Sequence, residues 1–248
     1  MKDTNIIYGR NALVDLLNSS KAVEKVFIQS SLTGGFEIKI RAMCKKDNIP
    51  LQKVPTEKLS KLCDTTRHQG IAAIISDITY YELEDILPEL IMEDKAPLLL
   101  VLDGVEDVRN FGAIARSAAA YGVDAIIISN KKQTGATHEA IKASAGAMLN
   151  IKICRVRSLM KAVEYLQEND INVIASDLKA KYKLQEFNLL KPLAMVVGSE
   201  HKGVNRMLLK LVEKSFVLSH SNAIDSLNVS VATGIMLYEV ERQRGTFS

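Results

Sequence analysis

The first 78 residues alternate between segments with strand-like and helix-like hydrophobic patterns. Runs rich in β-branched and aromatic side chains are typical of strands, whereas apolar residues spaced three to four apart are typical of an amphipathic helix. Strands are therefore predicted at residues 23–28, 49–54 and 70–75. Helices are predicted from Gly9 to Leu17, from Phe36 to Lys46 and, over a short length, after Pro55. This order predicts a compact α/β module.

From Pro97 onwards the alternation becomes regular. Continuous apolar runs predict six strands, at residues 98–102, 124–129, 151–156, 172–176, 193–197 and 216–218. Helical spacing fills the gaps at residues 112–121, 136–147, 159–167 and 204–214 and in a final helix near the C-terminus. Apolar strands separated by helices indicate an α/β fold with a mostly parallel sheet covered on both faces. Ligands of such sheets bind outside the carboxyl ends of the strands.

The final helix begins in a polar segment and continues into an apolar run that ends at Leu237. Ser, Asp and Asn favour helix N-termini because their side chains accept hydrogen bonds from free N–H groups of the first turn. The helix is therefore predicted to begin at Asp225 or Ser226. Because its first turns are apolar on nearly every side, its polar N-terminus is expected to be enclosed by protein. There it either satisfies the helix end and a neighbouring loop or forms part of a binding site.

The composition is that of a globular protein. Apolar residues make up 47% of the 248 residues and charged residues 25%, which are ordinary values for soluble domains. No apolar run reaches the roughly 18 residues of a membrane span, and residues 1–5 lack the apolar core of a secretion signal. Cys44, Cys63 and Cys154 form no C-x-x-C pair, so we expect reduced, apolar side chains. A cytoplasmic protein is predicted.

The net charge of +3 is too small to indicate a nucleic-acid partner, but its distribution divides the chain. Residues 1–78 contain 12 Lys and Arg against 8 Asp and Glu, residues 79–97 contain 1 against 6, and residues 98–248 contain 19 against 15. We therefore predict a domain at 1–78, an acidic linker at 79–97 with a helical turn or more around Leu83 to Met92, and a second domain at 98–248. The two mildly basic blocks are compatible with RNA contact and equally with ordinary solvated surfaces.

Three polar motifs follow predicted strands of the second domain. They are N-x-G-x-x-x-R from Asn110 to Arg116, V-V-G-S-E-x-x-G from Val196 to Gly203, and S-L-N-V-S-V-A from Ser226 to Ala232. Because the carboxyl ends of parallel strands meet at one edge, the motifs are expected to converge. No G-x-G-x-x-G follows any strand, and Val204 stands where a P-loop would have its lysine, which disfavours a nicotinamide or ATP pocket.

Together the motifs resemble those of the SpoU or TrmH family of RNA ribose 2′-O-methyltransferases, and the resemblance covers essentially the whole chain. It is greatest to the branch that methylates a guanosine ribose of 23S rRNA. Segments 8–12 and 68–71 resemble the ends of a small RNA-binding domain, similar to ribosomal protein L30e, that many members have. Lys and Arg release counterions from a nucleic-acid backbone. Six basic residues of this domain are candidate phosphate contacts: Arg10, Lys39, Arg41, Lys45, Lys46 and Arg67.

The resemblance also implies a fold, a cofactor and partners. The catalytic domain is expected to form a deep trefoil knot at its C-terminal end, with S-adenosylmethionine held by the knotted loops. The expected substrate is large-subunit rRNA and the expected assembly a homodimer, with neither membrane nor DNA as a partner. Hydrophobic periodicity by itself predicts only the α/β pattern.

By the same resemblance, Arg116 is the principal catalytic residue. A guanidinium holds its proton too tightly to act as a general base, so we expect Arg116 to hold the target phosphate and to stabilise charge developing on the ribose oxygen. Asn110 either fixes the turn before Arg116 or contacts substrate. Glu200 either tethers Arg116 or Asn228, or accepts the proton; Asn110 and Glu200 could also merely support the loops. Ser226 and Asn228 are expected to orient the ribose hydroxyls.

The cofactor is expected to contact Gly198, Leu218 and Leu227. A glycine leaves room for an adenosine packed against the backbone, and the two leucines match family positions that enclose the adenine, although ordinary core positions would have the same sequence. Residues 218–223 depart from the family pattern I-P-M-x-G, which puts cofactor affinity in question. Residues 107–110 are D-V-R-N where the family usually has D-P-x-N, so a rigid turn is lost and a cation is added.

No metal site is predicted, because no carboxylates cluster and the four histidines lack the spacing of metal ligands. They are His68, His138, His201 and His220. Two alternatives to an rRNA methyltransferase stand. One is a tRNA ribose methyltransferase. The other is a non-catalytic RNA-binding factor in ribosome assembly, which is favoured only by the altered loop at residues 218–223.

Overall fold

Two sheets organise the chain, one in the unit Met1–Thr79 and one in the unit Tyr80–Ser248. The computed structural model describes six ranges of the chain: residues 6–19, 21–93, 95–130, 135–212, 214–219 and 226–246.

The sheet of the first unit has the strand order β1-β4-β2-β3. Its strands are β1 (Ile6–Tyr8), β2 (Val23–Gln29), β3 (Leu51–Val54) and β4 (Ile71–Ile75). Its helices are α1 (Arg10–Asn18), α2 (Gly35–Lys46) and α3 (Thr56–Cys63). β2 and β3 are parallel, and β4 runs antiparallel to β1 and β2. α1 and α2 pack on one face and α3 on the other. The three predicted strands and three predicted helices are all present, and β1 is additional.

The sheet of the second unit has eight strands in the order β10-β12-β9-β11-β6-β7-β8-β5, and every neighbouring pair is parallel. In chain order the strands are β5 (Tyr80–Tyr81), β6 (Leu98–Asp103), β7 (Ala125–Ser129), β8 (Lys152–Val156), β9 (Asn172–Ser176), β10 (Tyr182–Lys183), β11 (Leu193–Gly198) and β12 (Lys214–Val217). The six predicted strands and their parallel arrangement are confirmed. The edge strands β5 and β10 were not predicted, since two residues are too few to show a period.

Helices cover both faces of this sheet, as predicted. They are α4 (Leu83–Met92), α5 (Val108–Ala120), α6 (His138–Ala143), α7 (Leu159–Glu168), α8 (Arg206–Leu211) and α9 (Val229–Arg244). On one face α4, α7 and α8 pack on strand residues such as Val101, Ile127 and Val196. On the other, α5 packs against α6 and α9, and α9 contacts β11. Burial on both faces explains why the strands are continuous apolar runs.

Residues 80–92 belong to the second unit and are not a linker, although the helix expected around Leu83 to Met92 is present as α4. β5 pairs with β8, and α4 buries Leu83, Ile86, Leu87 and Leu90. Three of the acidic residues that suggested a linker, Glu84, Asp85 and Glu89, lie on the exposed side of α4. Their composition therefore reflects an amphipathic helix that packs on the sheet.

Two predicted helices are shorter than expected. The helix predicted at 136–147 ends at Ala143, because Ala145 and Gly146 adopt left-handed backbone conformations before a 3-10 helix at Ala147–Asn150. The helix predicted at 204–214 is α8, which begins after Asn205 because the side chain of Asn205 accepts a hydrogen bond from the N–H of Met207. Local capping therefore sets both boundaries.

The C-terminal end of α9 is fixed by Arg244. Its guanidinium donates hydrogen bonds to the carbonyl oxygens of Leu189, Ala96 and Lys191, at 2.9, 2.7 and 2.8 Å. These carbonyls precede β11 and β6, which are adjacent central strands. Burial lowers the pKa of Arg244 from its usual value. The contact ties the last helix to the amino edge of the sheet.

Replacing Arg244 with Met is expected to lower the free energy of unfolding by about 2–3 kcal/mol, because three carbonyl acceptors lose their donor. Arg244→Lys should recover only part of that loss, since one ammonium cannot span three acceptors. Urea denaturation followed by circular dichroism measures both changes. Lys161→Ala, at an exposed position of α7, is the control and should change stability by less than ~0.5 kcal/mol. Parental stability of Arg244→Met would contradict this account.

Burial also sets the reactivity of the cysteines. It raises the pKa of Cys44 and of Cys154 to about 12, and it raises the pKa of the partly exposed Cys63. Because the thiolate is the nucleophile, iodoacetamide at pH 8.5 is expected to alkylate Cys63 first and the two buried thiols only after unfolding in guanidinium chloride. Peptide mass spectrometry over time tests this order. Alkylation of Cys154 at the rate of Cys63 in the folded protein would refute it.

Candidate active site

A cavity of about 400 Å³ lies at the carboxyl edge of the second unit's sheet. Its wall is formed by the segments that follow β9, β11 and β12 and by the first turn of α9. This is the position that parallel α/β sheets provide for ligands, and the volume lies within the range of about 300–1,000 Å³ typical of small-molecule sites. Five of the predicted site residues line it: Gly198, Glu200, Leu218, Ser226 and Leu227.

Asn228 joins α9 to the other two motifs. Its Oδ1 accepts hydrogen bonds from the N–H groups of Ser230 and Val231, at 2.9 and 3.4 Å, and from the Ser230 hydroxyl at 2.6 Å. Its Nδ2 donates to Asn110 Oδ1 at 3.1 Å and to a Glu200 carboxylate oxygen at 3.5 Å. The backbone donors fix which half of the amide faces the helix. Asn228 therefore both caps α9 and reaches into the site.

The predicted start of the last helix is corrected by this cap. α9 begins at Val229 with Asn228 as its N-cap, and Ser226 lies in the segment before it. Asp225, the other predicted start, lies outside the described residues, as do residues 220–223 of the altered loop. Of the side chains suited to capping, Asn228 is the one that can satisfy the helix and two neighbouring motifs together.

Asn110 closes a ring of three side chains, one from each motif. Its Nδ2 donates to the second oxygen of Glu200 at 3.4 Å, while its Oδ1 accepts from Asn228. Asp107 caps α5 by accepting a hydrogen bond from the N–H of Asn110 at 2.8 Å. The turn before the first motif thus keeps its cap without the proline usual in the family. Glu200 receives a donor on each of its carboxylate oxygens, through two long contacts of 3.4 and 3.5 Å.

Gly198 has a different reason to be glycine from the predicted one. Beyond it, Ser199 and Gly203 form an isolated antiparallel bridge, and a Cβ on Gly198 would lie 1.9 Å from the carbonyl carbon of Gly203 and 2.1 Å from the nitrogen of Val204. The space that a Cβ would need is filled by the chain's own backbone, while Gly198 itself also lines the cavity. The glycine therefore lets the hairpin fold back over the end of β11, which holds Glu200 at the sheet edge.

The glycine of the first motif also has a packing role, which the sequence did not reveal. A Cβ on Gly112 would lie 2.5 Å from Ala143 Cβ and 2.7 Å from the carbonyl oxygen of Ala140. α5 and α6 can approach this closely only without a side chain at that position. The spacing N-x-G therefore combines a polar site residue with a helix–helix contact.

Arg116 lies apart from the ring formed by Asn110, Glu200 and Asn228. It follows Asn110 by six positions on α5, which places the two side chains about 120° apart around the helix axis. Arg116 is exposed and makes no hydrogen bond or ion pair with any described residue. The structure thus joins three of the predicted catalytic residues, places Ser226 on the cavity wall, and leaves the guanidinium outside their network.

One segment of the cavity wall was not predicted: Ser176, Asp177, Leu178 and Lys179. It begins at the last residue of β9, and the side chain of Asp177 accepts a hydrogen bond from the N–H of Lys179. No motif marked this segment. The rule that ligands bind at strand carboxyl ends, applied to β9 as well, would have found it.

The described ranges include no group of three His, Cys, Asp or Glu side chains placed to hold a metal ion, and no helix among them is long and apolar enough to cross a membrane. His220 lies outside these ranges. His68 is buried and engaged: its Nδ1 accepts from the N–H of Gly70 at 3.0 Å, and its Nε2 lies 3.1 Å from Ser60 Oγ.

Both units match known protein families. Residues 97–238 match the SpoU rRNA Methylase family. The chain belongs to the SpoU family. Residues 6–81 match a second family, described as RNA 2′-O ribose methyltransferase substrate binding. The SpoU resemblance drawn from the motifs is confirmed.

Individual relatives agree with this membership. The chain is 33% identical to a Bacillus subtilis strain 168 protein described as TrmH family tRNA/rRNA methyltransferase YacO, over 96% of this chain and 95% of that protein. The AdoMet-bound rRNA methyltransferase from Sinorhizobium meliloti has a TM-score of 0.62 and 22% identity, over 99% of this chain and 88% of that one. The A. aeolicus TrmH/SpoU tRNA modifying enzyme has a TM-score of 0.57 and 30% identity, over 66% of this chain and 84% of that one. These structures support the SpoU fold; the knot stays a prediction.

Replacing the Asn228 donor with an acceptor tests the ring formed by Asn110, Glu200 and Asn228. Asn228→Asp keeps the oxygen that caps α9 but places a carboxylate against Glu200, so we expect cofactor affinity and methyl transfer to fall about ten-fold or more. Adding Glu200→Gln restores a donor between the two positions and should recover much of the cofactor affinity. Calorimetric titration of S-adenosylmethionine measures this.

The control is Asn188→Asp, an exposed position whose oxygen accepts from the N–H of Leu190 in the same way. It should leave cofactor affinity unchanged. If the double variant bound no better than Asn228→Asp alone, the ring would not be the contact that matters.

Proposed function

We propose that this SpoU family chain transfers a methyl group from S-adenosylmethionine to the 2′-oxygen of a ribose in RNA. The observation that best supports the proposal is the ring of Asn110, Glu200 and Asn228, because Glu200 belongs both to this ring and to the cavity wall. A site that joins three separated motifs beside a cavity of cofactor size fits group transfer from a bound donor. The family membership supports the same reaction.

The cavity residues fit the proposed cofactor. Leu218 and Leu227 offer apolar surface for an adenine ring, and Asp177 and Lys179 offer opposite charges for the ammonium and carboxylate of the methionine end. When bound, S-adenosylmethionine supplies a methyl group on a positively charged sulfur. The mixed apolar and charged wall matches such a ligand.

The residues of the ring are suited to positioning the ribose and managing its proton. The 2′-oxygen bonds to the methyl carbon as the carbon–sulfur bond breaks, and the hydroxyl proton must leave. A carboxylate has about four lone-pair sites, so Glu200 can accept that proton, directly or through water, while Asn110 and Asn228 hold it. Ser226, which lines the cavity, is assigned to the ribose hydroxyls.

Arg116 is assigned to the RNA phosphate. Its side chain is exposed and has no partner among the described residues, so its guanidinium fork is available to an external anion. Bidentate contact with a phosphate would fix the target ribose and stabilise charge developing on its 2′-oxygen. This role matches the one expected from the family motif.

We assign a guanosine of 23S rRNA as the first candidate substrate. A tRNA ribose is the second candidate, and it is supported by the tRNA/rRNA description of the B. subtilis relative and by the A. aeolicus tRNA modifying enzyme. The ring of Asn110, Glu200 and Asn228 lies beside the cavity, which counts against a non-catalytic assembly factor. We place the activity in the cytoplasm.

We also propose a homodimer. Val231, Ile235 and Tyr238 are exposed by 52, 44 and 57% and follow one another at helical spacing along α9. Such an apolar stripe on one helix suits contact with a second copy. The α9 stripe and the first turn of the same helix lie close together, so a dimer formed there would border the active site.

Arg116→Lys provides the main test of the proposed reaction. Since one ammonium cannot reproduce the guanidinium fork, kcat for methyl transfer to total RNA should fall about 100-fold or more. Affinity for S-adenosylmethionine should stay within about two-fold, because Arg116 does not line the cavity. Arg242→Lys is the control, since Arg242 pairs with Glu239 on the far part of α9.

Transfer of tritiated methyl groups gives the rate, and mapping of ribose methylation in cells with and without the gene gives the target nucleotide. Near-normal turnover of Arg116→Lys would reject the catalytic assignment. RNA binding without any uptake of S-adenosylmethionine would instead support the assembly factor.

A further inference from the structure

A second cavity, of about 560 Å³, lies in the first unit. It is placed where β1, β2 and β3 end and β4 begins. It brings together the start of α1 and the turn before β4, two segments that the sequence analysis singled out. The backbone N–H of Arg10 donates to Gln69 Oε1 at 2.9 Å. The two segments are therefore joined directly, at the cavity wall.

The wall of this cavity is polar but has little charge. Arg10 supplies a cation and His68 is buried within the turn; the remaining polar side chains are amides and hydroxyls, from Gln29, Ser31, Thr56, Thr66 and Gln69. A run of RNA backbone would need several cations, since affinity for phosphates comes from Lys and Arg. Neutral donors and acceptors are suited to the hydrogen-bonding edge of a nucleobase.

Two glutamine amides on the wall each have one half engaged. Gln69 Oε1 accepts from the N–H of Arg10, which fixes the amide orientation, and its Nε2 has no hydrogen-bond partner among the described residues. Gln29 Nε2 donates to Ser31 Oγ at 2.7 Å, and its Oε1 likewise has no such partner in those ranges. The cavity thus offers a donor and an acceptor that are already held in place, which lowers the entropy cost of binding.

The turn before β4 fixes the backbone beside Gln69. Gln69 and Gly70 have φ angles of 55° and 79°, and the N–H of Gly70 is held by the buried imidazole of His68. The Arg10 guanidinium lies 5.0 Å from the centre of the Phe36 ring, a cation–π distance that places the charge beside the cavity. The cavity has the volume of a site for one small organic group.

We propose that this cavity takes the base of one unpaired nucleotide of the RNA substrate, with Arg10 at its phosphate. The inference rests on the proposed function for the nature of the ligand, RNA. It adds that the first unit selects RNA with a bulged or looped-out nucleotide over continuous duplex. Unpaired bases are the part of RNA that proteins can surround and distinguish.

The test uses the full chain without cofactor and five fluorescently labelled RNA hairpins. Four contain a single bulged A, C, G or U, and the fifth has an abasic residue in the bulge. Fluorescence anisotropy is expected to show at least one bulged base bound about ten-fold or more tightly than the abasic hairpin, because the edge of the base would form hydrogen bonds with both glutamine amides. Binding the abasic hairpin as tightly as all four others would overturn the proposal.

Gln69→Glu is the decisive variant. It keeps the oxygen that accepts from Arg10 and replaces only the free donor, so it should abolish the preference for the bulged base. Gln52→Glu adds the same charge at an exposed position of β3, outside the cavity, and should keep that preference. Gln29→Met removes the acceptor without adding charge and is the second variant if melting shows that Gln69→Glu is unfolded. A preference that survives in a folded variant would overturn the assignment.

The two proposals can fail separately. Hairpin binding is measured without S-adenosylmethionine, so its result does not depend on methyl transfer. A lost base preference with methyl transfer intact would reject the nucleotide pocket alone. A base preference that depends on Gln69, in a chain that neither binds the cofactor nor transfers methyl groups, would reject the proposed reaction and support the pocket.

Discussion

The side-chain amide of Asn228, whose oxygen and nitrogen bind different elements, holds the site of the second unit together. Its oxygen is bound to the first N–H groups of α9 and its nitrogen to Asn110 and Glu200. One planar group therefore sets the distance between the start of α9, the first turn of α5 and the hairpin after β11, which are far apart in sequence. No apolar contact could do this, because hydrophobic packing has no direction, whereas a hydrogen-bonded amide fixes both distance and angle.

That function of Asn228 depends on the opposite end of the same helix. α9 has 16 residues and is about 24 Å long, and Arg244 binds its C-terminal end to the carbonyls that precede β6 and β11. Thr233, Met236 and Leu237 are fully buried between the two ends. The helix is thus fixed at the amino edge of the sheet and presents Asn228 at the carboxyl edge, so the packing of the core determines the geometry of the site.

The sequence was informative where one period or one rule decides the structure, and it failed where contacts distant in sequence decide. Parallel strands buried on both faces follow from the hydrophobic pattern, and ligand loops at their carboxyl ends follow from the general rule for parallel sheets. The start of α9 does not, because several residues could cap it and only contact with Asn110 and Glu200 selects Asn228. Gly198 was assigned to the cofactor because a glycine pattern shows that something lies close, without showing that Gly203 does. The acidic residues of α4 were assigned to a linker because their composition does not show that the helix packs on the sheet.

The separation of Arg116 from Glu200 has a chemical consequence for the proposed reaction. Arg242 shows the alternative: it binds Glu239 at 2.8 Å, the contact lowers the pKa of the carboxyl and raises that of the guanidinium, and both charges are thereby engaged. In the site, neutral amides hold Glu200 instead. A cation there would compete with the proton that Glu200 is proposed to accept, and a carboxylate beside Arg116 would compete with the RNA phosphate. Holding Glu200 with Asn110 and Asn228 keeps one negative and one positive group available, each for a different part of the substrate.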